Sequence, residues 1–119
     1  MPVVIKLKCR FRKHWKLRIH DLEEREPPHI TIYGEGDKWR WNLRKKCFMD
    51  KKPPYNGVHK EIVDEIEDRW IELSYEWNQI HADNPVEINE IDLKEFFKSK
   101  KWDVEEELQK YNDLLKKNK

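Results

Sequence analysis

The sequence predicts an α+β domain, an antiparallel sheet of four to five strands packed on one face by a long helix, with two further helices towards the C-terminus. Three observations carry this reading. Apolar residues alternate with polar ones up to Leu43, and from Val58 onward they recur at steps of three and four. Proline and glycine fall where the pattern changes. The length of 119 residues suits one domain around one core.

The alternating residues are Val3, Ile5, Leu7, Cys9 and Phe11, then Trp15, Leu17 and Ile19, then Ile30 and Ile32, then Trp39, Trp41 and Leu43. A period of two gives strands with one buried face. Pro27-Pro28 cannot donate ladder hydrogen bonds and so precedes a strand, while Gly34-Glu35-Gly36-Asp37 has the glycines of a tight reversal. Hairpins make the sheet antiparallel. Cys47-Phe48-Met49 reads as a short fifth strand, and Asn56-Gly57 breaks the chain before the helices.

Ile62, Ile66, Trp70, Leu73, Trp77 and Ile80 form one stripe on a helix of about six turns, ended by Asn84-Pro85. This helix is expected to cover the sheet face that carries Trp15, Leu17, Ile30, Trp39 and Trp41. Asp92 and Asp103 are each followed three residues later by a glutamate, the spacing of a capping box, so two more helices are expected. The last has its stripe at Val104, Leu108, Tyr111 and Leu115 and ends in lysines that suit a helix C-terminus.

Residues 1–119 read as a single domain with a basic sheet part, 1–52, and an acidic helical part, 58–119. The first 52 residues hold 15 Lys and Arg against 7 Asp and Glu, although the whole chain is only +1. Such a division fits an anionic partner or a second copy meeting basic face to acidic face. No apolar run approaches a membrane span, and the charged start MPVVIKLKCRF does not resemble a signal peptide, so a cytoplasmic setting without membrane contact is expected. Cys9 and Cys47 are expected to remain thiols. There is no P-loop, dinucleotide fingerprint, nucleophile elbow or CxxC, and neither a cofactor nor a metal is expected.

Strand geometry sends the neighbours of the apolar residues outward: Lys6, Lys8, Arg10, Lys16, Arg18, His29, Thr31, Tyr33, Arg40 and Arg44 among them. Lysine and arginine neutralise phosphates, and tyrosine and histidine stack on bases, so this face is a candidate surface for nucleic acid or a nucleoprotein complex. The competing reading is a solvated face whose cations pair with acidic residues of this chain or of a second copy.

The segment PPHITIYG at 27–34, led by Glu26, resembles a small bacterial family of unknown function whose strand reads roughly PPHFHVxYG, followed by a hairpin and a Trp-bearing helix. The likeness spans residues 15–83. It implies an α+β fold and a setting in mobile or defence-related gene neighbourhoods, including toxin–antitoxin pairs. The family's second strand histidine is Thr31 here, which removes a two-imidazole site for a metal or a phosphate.

His29, Tyr33 and Arg40 are the candidates for metal-independent RNA cleavage, as general base and phosphate clamp. His20 converges with His29 if their strands pair in register. Phe96, Phe97 and Trp102 are candidates for a homodimer contact, since six tryptophans exceed what one small core needs. The reading that follows is a dimeric, non-catalytic accessory module that engages nucleic acid. A ribonuclease toxin, and an adaptor or antitoxin-like protein holding a cognate partner from the same locus, are the alternatives.

Overall fold

The structure, a computed structural model, describes residues 3–6, 15–20, 26–49 and 58–117. Five strands come first, β1 (Val3–Lys6), β2 (Lys16–Ile19), β3 (His29–Gly34), β4 (Asp37–Asn42) and β5 (Cys47–Phe48). Each pairs antiparallel with its neighbour in sequence, so the sheet order is β1-β2-β3-β4-β5. The β3–β4 reversal places Glu35 and Gly36 at φ 51° and 84°, the positive values that a two-residue hairpin with the strands' own twist requires.

The helices cover one face, as the apolar pattern predicts. Leu17, Ile19, Ile30, Ile32, Trp39, Trp41 and Leu43 form one buried cluster with Ile62, Ile66, Leu73 and Trp77 from the helices. Trp15 stacks on Trp39 with ring centroids 5.6 Å apart. A side chain at Gly34 would collide with the Trp15 indole, so this glycine is needed for close packing.

The long helix is instead two, α1 (Lys60–Asp68) and α2 (Trp70–Ile80), separated at Arg69, whose φ of −103° and ψ of 18° leave helical geometry. The apolar stripe continues through the break, which is why the sequence reads as one helix. Arg69 bonds Glu65 at 2.9 Å on one side and Glu72 at 2.6 Å on the other, and Lys100 reaches Glu72 at 3.3 Å. Burial works against the Arg69 charge, yet its hydrogen bonds to Glu72 and Glu65 outweigh that and leave its pKa raised. For Glu72 burial is likewise the largest single influence and opposes the charge, but the hydrogen bonds and charges of Arg69 and Lys100 together outweigh it and hold the carboxyl below its usual range.

Helix α3 (Glu90–Ser99) starts earlier than the sequence predicts. Its cap is Asn89, whose Oδ1 accepts from the Ile91 amide at 2.8 Å, and Asp92 lies in the first turn. Asp103 does cap α4 (Val104–Lys117), accepting from the Glu106 amide at 3.1 Å. A second cluster joins α2, α3 and α4 through Tyr75, Leu93, Phe97 and Tyr111. Asn78 fastens it, donating to the Tyr111 hydroxyl at 2.6 Å and to the Val86 carbonyl at 2.9 Å while accepting from the Val86 amide at 2.7 Å.

This cluster corrects the expected dimer contact. Phe97 is 0% exposed and Phe96 is half-buried, so both are spent on packing within the chain. Trp102 keeps 40% exposure while its ring sits about 6 Å from those of Phe96, Phe97 and Tyr75. No helix among the described residues is long and apolar enough to cross a membrane.

Candidate nucleic-acid interface

The face of the sheet away from the helices is ordered by register into transverse rows. Lys6 pairs with Lys16, Lys16 with Tyr33, and Tyr33 with Lys38, so one row crosses four strands near the β3–β4 turn. Arg18, Thr31 and Arg40 form the next row. His29 and Asn42 follow at the far end. Direct cross-strand partners share a face, so each row is a set of lateral neighbours.

The rows differ in what they leave free. Lys16 and Lys38 are exposed, and neither forms an ion pair with another described residue. Tyr33 is half-buried. Its hydroxyl lies 2.9 Å from Nε2 of His20, and the Arg18 guanidinium carbon sits 5.1 Å from its ring centroid. The carbonyl of His20 accepts from Nε2 of His81 at 2.6 Å, and the His81 ring stacks on Trp77 with centroids 3.9 Å apart. A chain of contacts therefore runs from α2 through β2 to the Tyr33 ring. Arg18 is half-buried, and its Nε is buried without a hydrogen-bond partner among the described residues.

Apart from Arg18, the middle and far rows are closed, and Arg40 follows the competing reading of a cation paired with an acidic residue of this chain. Arg40 donates from Nη1 to Glu26 at 2.6 Å. Arg44 turns away from the sheet and donates through Nη2 to Asn84 Oδ1 and the Pro85 carbonyl at 2.9 and 2.8 Å. His29 is only 1% exposed and Thr31 only 4%. Its Nδ1 lies 2.9 Å from the Pro27 carbonyl, an acceptor, so that nitrogen carries the proton. Its Nε2 is 3.9 Å from Glu26, and its ring is 5.6 Å from Trp77.

His29, Tyr33 and Arg40 are thus not assembled as a solvent-facing trio. Tyr33 is engaged by His20, Arg40 by Glu26, and His29 lies beneath the surface. Backbone register places Lys6 opposite Lys16; Lys8 and Arg10 lie outside the described residues. Among the described residues no three His, Cys, Asp or Glu side chains converge as metal ligands.

Sequence reasoning missed three participants. Lys38 belongs to the outward set by simple parity with Arg40, two residues on. His81 carries no such signal, because it reaches the face from the end of α2, and Glu26, just ahead of β3, meets Arg40 only through the β3–β4 register. A scan against protein-family models, a search of curated proteins and a search of solved structures each find no match to this chain.

Proposed function

We propose that this domain is a non-catalytic module that binds nucleic acid, free or within a nucleoprotein complex, through the row of Lys6, Lys16, Tyr33 and Lys38, with Arg18 alongside. The observation that carries the reading is the placement of exposed Lys16 and Lys38 on either side of Tyr33 in one transverse row. Like charges gathered on one sheet face repel, and a phosphate backbone laid on them converts that repulsion into attraction. Exposed Lys38, which forms no ion pair with another described residue, and the neighbouring Arg18 add to the same field. Arg40 and Arg44, already bonded within the chain, contribute little to it.

An accessory role suits a surface with bound-strand chemistry and no assembled acid–base pair, and the likeness of PPHITIYG supports a defence-type or toxin–antitoxin locus. Self-association belongs to this reading through Trp102 and Ile91, which remain 40% and 71% exposed, and sedimentation velocity over a range of concentrations checks it.

Fluorescence anisotropy with labelled oligonucleotides across a salt series tests the interface. Binding is expected to weaken steeply with salt, and the double variant Lys16→Glu/Lys38→Glu is expected to lose it with the fold intact by circular dichroism. Wild-type affinity in that variant removes this face from consideration.

A further inference from the structure

We infer that the nucleic acid taken by this face is single-stranded, with one base stacked on the Tyr33 ring and the flanking phosphates on Lys16 and Lys38. This rests on the nucleic-acid reading above and specifies its ligand.

The row supplies the spacing. Neighbouring strands lie roughly 4.8 Å apart, so the backbones carrying Lys16 and Lys38 are separated by about 10 Å with Tyr33 midway. Their long, flexible stems carry the ammonium groups to phosphates on either side of one nucleotide. An aromatic residue between two cations is the arrangement that a single strand uses, because its bases are free to turn towards the protein. A duplex keeps its base faces stacked inside and presents only backbone to such a row, so the tyrosine would add nothing to its binding.

The ring is also held in place before any ligand arrives. His20 fixes its hydroxyl at 2.9 Å, Arg18 lies 5.1 Å from its centroid, and His81 secures the His20 backbone at 2.6 Å. A side chain already confined loses little further entropy when a base packs on it. Arg18 against the ring adds a cation–π contact, so base, tyrosine and guanidinium form one layered unit. Stacking of this kind accepts every base, and the binding is expected to be tolerant of sequence.

The experiment uses the full chain and four probes of equal length: single-stranded RNA, single-stranded DNA, duplex DNA, and a single strand of abasic nucleotides that keeps the phosphates. Wild-type protein is expected to bind the better of the two single strands more tightly than the duplex and to lose about tenfold in affinity for the abasic strand. Tyr33→Leu is expected to show the same loss on the base-bearing strand and no further loss on the abasic one, and Tyr33→Phe, which keeps the ring, to bind the base-bearing strand nearly as wild type. The abasic comparison needs no variant, so it stands even if Tyr33→Leu folds poorly.

Equal affinity for abasic and base-bearing strands, or duplex binding as tight as single-strand binding, overturns the inference. If salt-sensitive binding that depends on Lys16 and Lys38 persists in that case, the broader nucleic-acid reading survives. If none of the four probes binds, both fall together.

Discussion

Arg40 donates to Glu26 at 2.6 Å, tying β4 to the segment that precedes β3 and withdrawing from the open face a cation that strand alternation offers to it. Both side chains keep more than a third of their exposure or close to it, at 35% and 40%. Such a pair contributes at most about 1 kcal/mol. Arg40→Ala is expected to lose that pair's contribution and to leave oligonucleotide affinity near wild type, whereas Lys38→Ala lowers the affinity. Urea denaturation and anisotropy on the same preparations check both halves.

The two halves of the helical cover depend on Arg69. Removing it leaves Glu65 and Glu72 facing each other in partial burial, and Arg69→Met is expected to cost about 2 kcal/mol. Because the folded Glu72 pKa is depressed, its contribution is present above the ordinary carboxylate range and is lost as pH falls through the folded value. Wild type is therefore expected to lose stability below about pH 4.5, and Arg69→Met to show a shallower acid decline. Melting curves across an acid series measure it.

Glu76 behaves oppositely. Burial first, and then the charge of Glu72, push its carboxyl above the usual range. A raised carboxyl pKa gives stability that is full below the unfolded value and lost as pH rises through the folded one. Glu76→Gln is accordingly expected to raise the melting temperature at neutral pH, with the gain shrinking in acid. An unchanged or lower melting temperature at neutral pH contradicts this account.

Two of the four tyrosines, Tyr75 and Tyr111, are held above the ordinary phenol range, in each case chiefly by burial. In an alkaline absorbance titration both phenols are expected to ionise late and together with loss of the fold, since charging either one requires opening the second cluster. Tyr111→Phe removes the bond from Asn78 while Asn78 keeps its two bonds to Val86, so a cost of about 1 kcal/mol is expected.

Gly34→Ala introduces a methyl group that collides with the Trp15 ring, which is itself stacked on Trp39. Displacing that pair is expected to cost about 2 kcal/mol and to alter the near-ultraviolet circular dichroism of the tryptophans. Gly36→Ala meets no neighbouring atom, and its cost comes only from the strained φ of 84°.

The sheet was legible in the sequence because alternation acts locally: Leu17, Ile30, Ile32, Trp39 and Trp41 each declare their face by parity with their neighbours. The break at Arg69 was not legible, since the stripe from Ile62 to Ile80 is uninterrupted and the interruption lies in one residue's dihedral angles. The cap at Asn89 rather than Asp92 was not legible either, since both positions carry side chains able to accept from the first turn. At the candidate site, parity identified the outward positions but not their fates. Arg40 is claimed by Glu26, Arg44 by Asn84 and Pro85, and these partners arrive across long separations in the chain.

The order of the sheet bears on how the molecule is made. Every strand finds its partner next door in the chain, so the pairings are local in sequence, the quick kind of folding step. The helices that cover Trp39 and Trp41 follow later in the chain. At a synthesis rate of roughly 5–20 residues per second, Trp77 follows the last strand by on the order of seconds, and until it arrives the tryptophan-rich side of the sheet has nothing to seal it. That interval is when a nascent chain of this design is most open to capture by a chaperone or to adhesion to its neighbours.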